Sequence, residues 1–177
     1  MAITAPAAVV IGGGPAGLMA AEVLLAGGMT VDLYDAMPSV GRKFLLAGKG
    51  GLNITHAEPA EKFLSRYSTR RPALESLLNA FGAAQLQNWV HGLGVETFVG
   101  TSQRVFPKEM KAAPLLRAWL HRLRSAGLRI HVRHRWTGWN ADGALVFSTP
   151  QGDVTVASSC TVFALGGGSS LDCAKGI

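Results

Sequence analysis

Three glycines near the N-terminus have the types and spacing of a phosphate-binding turn. Gly12, Gly14 and Gly17 fill a GxGxxG pattern in the stretch AVVIGGGPAGLMAAE, between a β-branched run and a helical pattern. The first glycine permits a tight turn, the second lets a pyrophosphate approach the backbone, and the third lets helix and strand pack closely. Pro15 and Ala16 begin the helix, whose free N–H groups and positive dipole end would face the phosphates.

An acid follows at the end of the next predicted strand. Asp35 comes directly after TVDLY, the predicted second strand at residues 30–34. In a dinucleotide-binding βαβ unit, a carboxylate about 20 residues beyond the glycines accepts hydrogen bonds from a ribose diol. The same carboxylate disfavours a ribose 2′-phosphate, since two negative groups would face each other. The pattern therefore predicts an adenine dinucleotide, FAD or NAD, and not NADP.

The loop VGRKFLLAGKGGLNITH, after the second strand, carries further groups that could bind such a cofactor. Arg42, Lys43 and Lys49 offer positive charge to a phosphate or to a reduced flavin. The glycines among residues 48–51 allow the backbone to approach a flat ring, and Asn53 could donate or accept hydrogen bonds. A basic surface loop without a ligand is the alternative interpretation.

The glycine turn, the acid-ended strand and above all GRKFLLAGKGGLNITH resemble the bacterial flavoproteins of the aminoacetone oxidase family. These are NAD(P)/FAD-dependent oxidoreductases related to bile-acid dehydro-reductases. The resemblance continues through TSQRVFPKEMKAAPLLRAWL to VFALGG, and so covers about residues 7–167. It implies a glutathione-reductase-like FAD domain that, in larger family members, is interrupted by an inserted domain and completed by a C-terminal segment.

The resemblance implies a flavoenzyme in which FAD takes a hydride from NAD(P)H or from a small-molecule substrate and passes it to an acceptor. A Glu is usual where this chain has Asp35, whose reach is shorter. No catalytic residue is identified; His56 could donate a proton, or could be an ordinary loop histidine. The residues expected to bind the cofactor are Gly12, Gly14, Pro15, Ala16, Gly17, Asp35, Arg42, Lys43, Gly51, Leu52, Asn53 and Gly166.

A second glycine turn, in ALGGGSSLDCAKGI, fits that resemblance poorly after Gly167. It resembles the NAD(P)-binding turn of iron-dependent alcohol dehydrogenases, with Gly168 and Ser169 offering N–H groups to a phosphate. Three explanations stay open: a divergent version of the flavoprotein's own turn, a truncated or chimeric product, or a second nucleotide site. We expect an incomplete FAD-binding domain over 1–167 and a divergent or foreign tail over 168–177. An inactive dinucleotide-binding remnant and an alcohol dehydrogenase fragment are the alternative functions.

The order of strand and helix patterns predicts an α/β fold. We expect a three-layer Rossmann-like domain with a parallel sheet and an antiparallel β-meander, which would position these residues. Apolar strands separated by helices predict parallel pairing, in the order 128–132, 30–34, 7–11, 160–165. Short extended segments between residues 134 and 157 predict the meander. The strand CTVFAL would be apolar on both faces and lie at an edge of the sheet, where a second copy could pair and form a homo-oligomer.

Composition narrows the class of protein. The chain has 177 residues, 48% of them hydrophobic, and a net charge of +6. Basic residues between positions 111 and 135 are typical of a solvated helix face or of positive potential for an anionic cofactor, and we expect no nucleic-acid partner. Cys160 and Cys173 have no disulfide or metal-ligand spacing, which favours a reducing cytoplasm. The N-terminus has neither a signal-peptide pattern nor a membrane span, so no membrane partner is expected.

Overall fold

The computed structural model describes residues 7–47 and 50–166. The described chain divides into two compact units, one formed by residues 7–44 with 121–166 and the other by the residues between 45 and 120. Among the described residues, no helix has both the length and the apolar character that crossing a membrane requires. The strands are β1 (Ala8–Ile11), β2 (Val31–Asp35), β3 (Thr55–His56), β4 (Thr97–Val99), β5 (Arg104–Pro107), β6 (Arg129–Val132), β7 (Arg135–Trp139), β8 (Leu145–Thr149), β9 (Gly152–Val156) and β10 (Cys160–Phe163), and the helices are α1 (Pro15–Ala26), α2 (Arg42–Ala47), α3 (Ala60–Ser65), α4 (Arg71–Ala80), α5 (Ala83–Gly92) and α6 (Ala112–Ser125).

The first unit is built on a four-stranded parallel sheet with the order β10-β1-β2-β6. This is the order that the sequence predicts. β1 is buried along its whole length because it lies between two neighbours and carries only apolar side chains. Helix α1 connects β1 to β2 and packs on both strands, as a crossover between parallel strands requires. The α/β Rossmann-like fold is therefore confirmed.

The predicted meander forms an antiparallel sheet with the order β7-β8-β9. Successive side chains of a strand point to opposite faces, so Val9 and Ile11 of β1 share one face. On that face they form a core cluster with Tyr34 of β2 and with Leu145 and Phe147 of β8. The meander thus covers one face of the parallel sheet.

Strand β10 differs from its prediction. The apolar run CTVFAL predicts burial on both faces and a packed Cys160, whereas Cys160 is exposed and Phe163 keeps 36% of its surface accessible. The reason is position, because β10 pairs only with β1 and lies at an edge of the sheet among the described residues. Whether a second copy pairs with this edge stays a prediction, which light scattering tests; a monodisperse monomer would contradict it.

The second unit holds the helices α3, α4 and α5 and a three-stranded antiparallel sheet with the order β3-β5-β4. Helical patterns at about 59–66, 71–81 and 83–92 predict these three helices, which are present, whereas the sequence predicts no strand at Arg104–Pro107. Along α6 the helical spacing of five apolar residues predicts a core face. Four of them are buried and Leu120 is half-buried; the four are Leu115, Leu116, Trp119 and Leu123. The stretch between residues 38 and 57, predicted as a loop, contains helix α2 and the short strand β3.

Candidate functional site

The glycine turn between β1 and α1 has a geometry that only glycine allows at two positions. Gly12 has a φ of +110°, and a Cβ there would lie 2.3 Å from the carbonyl oxygen of Ala164. A Cβ at Gly17 would lie 1.9 Å from the carbonyl oxygen of Gly12. The third glycine of the pattern is therefore buried under the turn, where it lets the helix approach the strand, as the pattern predicts.

The N-terminus of α1 is left without a side-chain cap. Gly14 is the N-cap residue and Pro15 occupies the first turn, so neither side chain can accept a hydrogen bond from the helix N–H groups. The first turn also contains no acidic residue. The first amides of a helix have no acceptor within the helix, and its dipole is positive at this end. This terminus therefore offers N–H donors and positive potential to an anion.

Asp35 ends β2 and makes two hydrogen bonds to backbone. Its Oδ2 accepts the N–H of Gly13 at 2.7 Å, and its Oδ1 accepts the N–H of Met37 at 2.7 Å. The carboxylate thereby fixes the middle of the glycine turn to the end of the neighbouring strand. A carboxylate oxygen has a second lone pair, so each oxygen retains the capacity to accept a ribose hydroxyl.

A cavity of about 700 Å³ lies over the carboxyl ends of the parallel strands, within the first unit. Ligands of open α/β sheets bind at this edge of the sheet. Arg42 and Lys43 supply its cationic side, and a Cβ at Gly166 would lie 3.7 Å from Nζ of Lys43. The predicted cofactor-binding residues that line this cavity are Gly12, Gly14, Pro15, Ala16, Asp35, Arg42, Lys43 and Gly166.

Aromatic residues that the sequence analysis missed form another side of this cavity. Tyr34, His134 and Trp136 line it. Tyr34 stacks on Phe147 with ring centroids 4.3 Å apart and on His131 at 4.4 Å. Burial and, to a smaller extent, the nearby carboxylate of Asp32 raise the pKa of Tyr34 to about 12, against the opposing effect of the Arg129 charge. The indole Nε1 of Trp136 is buried without a hydrogen-bond partner among the described residues. This side of the cavity is therefore formed by the flat rings of Tyr34, His134 and Trp136.

Asp32 is a buried acid in the middle of β2, and its partners come from β6. Arg129 donates to its two oxygens, with Nε at 3.0 Å from Oδ1, and His131 Nε2 lies 2.5 Å from Oδ1. The hydrogen bond to Asp32 raises the pKa of Arg129. Because β2 and β6 pair in parallel with Asp32 opposite Arg129, this cluster is set by the sheet register. It joins two strands beneath Tyr34 and is not part of the cavity lining.

The remaining predicted residues lie in the second unit. Gly51 has a φ of +113°, and a Cβ there would lie 2.7 Å from Cε of Met110. Leu52 is buried and donates its N–H to the carbonyl oxygen of Met110 at 3.0 Å. Asn53 lines a separate cavity of about 460 Å³. Their predicted place along the cofactor stays a prediction, as does that of Lys49, which lies outside the described residues.

The second glycine turn also lies outside the part of the chain that the structure describes. This applies to Gly167, Gly168, Ser169 and Cys173, so the resemblance of the tail to iron-dependent alcohol dehydrogenases stays a prediction. Within residues 7–47 and 50–166, no group of three or more His, Cys, Asp or Glu side chains lies close enough together to hold a metal ion.

Solved structures of several proteins share this fold. The chain is 14% identical to the 3-ketosteroid-Δ4-(5α)-dehydrogenase of Rhodococcus jostii RHA1, covering 92% of this chain and 47% of that one with a TM-score of 0.62. Thermovibrio ammonificans THI4 is 16% identical, and the match covers 91% of this chain and 57% of that one with a TM-score of 0.57. The p-nitrophenol 4-monooxygenase PnpA of Pseudomonas putida DLL-E4 is also 16% identical, and the match covers 93% of this chain and 42% of that one with a TM-score of 0.54. The chain therefore spans about half the length of these proteins.

Sequence comparison assigns the family. No curated protein matches the chain. The sequence profile of the HI0933-like protein Rossmann domain matches residues 6–173, which is nearly the whole chain and includes part of the tail. The match begins just before β1 and contains the glycine turn, Asp35 and the loop that follows. The chain therefore belongs to the HI0933-like Rossmann domain family.

Proposed function

We propose that the chain is the FAD-binding part of a flavoprotein oxidoreductase. The observation that carries this proposal is the cavity of about 700 Å³, which joins an uncapped helix N-terminus, a strand-end carboxylate and the cationic side chains of Arg42, Lys43 and Arg135 in one place. Phosphate, ribose and a flat ring are the parts of a dinucleotide that such groups recognise. The family and the dehydrogenase and monooxygenase names of the similar structures support the same reaction class.

The residues present fit the dinucleotide. The amides at Gly14 and the start of α1 would bind the pyrophosphate, since no side chain caps them. The second lone pairs of Asp35 would accept the ribose hydroxyls. Tyr34, held by stacking on Phe147 and His131, and Trp136 line the cavity close to Asp35 and would form its wall beside the adenosine half of the cofactor.

When bound, FAD supplies hydride transfer between a donor and an acceptor. We propose NAD(P)H or a small organic substrate as the donor. The residues of this chain would orient the cofactor and balance its negative charge. Arg42 and Lys43 provide the positive potential, and Gly51, Leu52 and Asn53 are proposed to lie along the cofactor on the strength of the loop resemblance alone.

Purification and flavin titration test this proposal. We expect either a yellow protein with a visible flavin absorption band, or a colourless one that regains the band and quenches flavin fluorescence on addition of FAD. NAD⁺ should compete weakly, since it lacks the flavin half of the ligand. A colourless protein that binds neither FAD nor NAD⁺ would contradict the proposal.

The alternative is a dinucleotide-binding protein that catalyses nothing. The two are separated by adding NADH or NADPH to the FAD-loaded protein under anaerobic conditions. Bleaching of the flavin band indicates that hydride reaches the flavin. A band that no donor bleaches, in a protein that nevertheless binds FAD tightly, supports the binding function alone.

A further inference from the structure

The second unit contains a cavity that shares only Asn53 with the residues proposed to contact FAD. Its volume is about 460 Å³, and it lies among α3, α4, α5 and the β3-β5 pair. Its lining is mixed, with basic and hydroxyl groups beside aromatic rings. The lining residues that matter for its chemistry are His56, Arg66, Tyr67, Arg104, Phe63 and Phe81.

Strand pairing places two basic side chains next to each other in this cavity. β3 and β5 run antiparallel, with His56 directly opposite Arg104. Directly opposite residues of an antiparallel pair point to the same face, so the imidazole of His56 lies beside the guanidinium of Arg104. Arg104 is exposed and has no carboxylate partner among the described residues. The arrangement is therefore one that an anion would stabilise.

Glu58, the acid beside His56 and Arg66, does not neutralise the charge of Arg104. Glu58 is almost fully buried, with 2% of its side chain exposed, and both of its oxygens face Arg66; Nη2 of Arg66 donates to Oε2 at 2.8 Å. The hydrogen bond from Arg66 lowers the pKa of Glu58, which keeps the acid ionised. His56 Nδ1 is 3.6 Å from Glu58 Oε1 and is buried without a hydrogen bond. Glu58 therefore balances Arg66, and Arg104 remains as excess positive charge beside His56.

A helix begins at the same cavity. Gly82, the N-cap residue of the ten-residue helix α5, and Ala83, its first residue, both line the cavity. A Cβ at Gly82 would lie 2.4 Å from the carbonyl oxygen of Leu78, so a glycine is needed for this close turn. The first turn of α5 contains no acidic residue. Its dipole adds positive potential to the cavity beside Phe81.

The apolar part of the cavity is formed by rings. Phe63 contacts Tyr67 edge to face at 5.8 Å, and Phe81 lies at the end of α4 with 43% of its surface exposed. An exposed phenylalanine in a cavity that also contains Arg104 suits a ligand with one apolar end and one negative end. We propose that this cavity binds a small organic carboxylate with an aromatic or aliphatic body, and that Arg104 pairs with the carboxylate. This inference is independent of the flavin proposal.

Calorimetric titration of the full chain with benzoate and phenylacetate tests the inference. We expect saturable binding of both acids, with one ligand per chain. Benzyl alcohol, which has the ring without the charge, and inorganic phosphate, which has the charge without the ring, should each bind at least tenfold more weakly. Arg104→Gln should weaken benzoate binding about ten- to a hundredfold, because a hydrogen bond to a charged group is lost.

The matched control is Arg117→Gln, which removes the same charge from an exposed position of α6 that lines neither cavity. It should bind benzoate as the unaltered chain does. Equal losses in both variants, equal binding of benzyl alcohol and benzoate, or the absence of benzoate binding would each overturn the inference. Flavin titration of Arg104→Gln keeps the two proposals distinguishable, since FAD binding should be unchanged whichever way the benzoate result falls.

Discussion

Replacing Gly14 by Ala separates the ligand-binding role of the glycine turn from its structural role. A Cβ at Gly14 would meet no atom within 4 Å, and the φ of −80° is one that alanine adopts without strain. The variant should therefore fold with unchanged stability. Gly14 lines the cavity at the uncapped start of α1, so the added methyl group occupies the space into which a phosphate must come to reach the backbone N–H groups.

The size of the effect follows from the hydrogen bonds that the phosphate would lose. A hydrogen bond from a backbone amide to a charged acceptor contributes about 1.5–3 kcal/mol. Loss of one such bond weakens the affinity for FAD about ten- to a hundredfold. The measurement is a fluorescence titration with FAD at fixed ionic strength, accompanied by urea denaturation of the unliganded protein.

Gly17→Ala is the matched control, since it adds the same methyl group to the same helix three residues later. Here the Cβ would lie 1.9 Å from the carbonyl oxygen of Gly12, where ordinary contact is 3.4 Å or more. The turn and α1 must therefore separate. Alanine improves helix propensity by about 1 kcal/mol, but an overlap with backbone costs more than this. We expect the free energy of unfolding to fall by about 2 kcal/mol.

The two variants should thus fail in different assays. Gly14→Ala should keep the denaturation midpoint and lose affinity for FAD, whereas Gly17→Ala should lower the midpoint. A Gly14→Ala protein that binds FAD as the unaltered chain does would refute the assignment of this turn to the phosphates. A Gly14→Ala protein as unstable as Gly17→Ala would refute the geometric reasoning itself.

Two further predictions concern the strand that carries Asp35. In a Tyr67→Phe variant Tyr34 is the sole tyrosine, and its tyrosinate absorbance should rise near pH 12. The pKa of Tyr34 in the folded protein is above the ordinary value of 10.0. The resulting stabilisation of about 2–3 kcal/mol is therefore complete below pH 10 and is lost as the pH rises to 12. A tyrosinate titration of the folded protein with its midpoint near pH 10 would contradict this. Asp32→Asn should lower the free energy of unfolding by about 1–2 kcal/mol in urea, because it weakens the pairing with the half-exposed Arg129. Asp142→Asn, in an exposed turn, is the control and should change nothing, and equal stability of the two variants would exclude a role for the buried cluster.

Much of the fold could be predicted because its signals are local. Short apolar runs separated by a helix predict parallel strands, and the observed order β10-β1-β2-β6 agrees with that prediction. The sequence does not predict strand β5 because the strand ends at Pro107, a residue typical of strand ends and loops. Its partner β3 has two residues. A sheet of this kind depends on pairing between distant segments, for which a single sequence gives no periodic signal.

The site also contains residues that local signals predict and residues that only the folded sheet brings together. Gly12 and Gly17 could be predicted since their requirement for glycine arises from the backbone of one turn. Tyr34, His134 and Trp136 come from two segments about a hundred residues apart, and only the sheet brings them together. One signal could have identified the first of them: Tyr34 directly precedes Asp35 at the carboxyl end of a strand, where α/β sheets bind their ligands.

Asp35 occupies the position at which the resemblance implies a glutamate, and its contacts show what the shorter side chain does. Its two oxygens accept the N–H groups of Gly13 and Met37, so the carboxylate lies against the backbone and holds the glycine turn to β2. A Cβ at Gly13 would lie 2.9 Å from Oδ2 of Asp35 and 2.3 Å from Cγ1 of Val40, which shows how closely the turn and the acid are packed. In the proposed FAD complex, a ribose hydroxyl would therefore donate to an oxygen that already has a backbone partner. Because the two backbone bonds position the turn before any ligand is present, this segment is preorganised for the proposed cofactor, which would have little left to order.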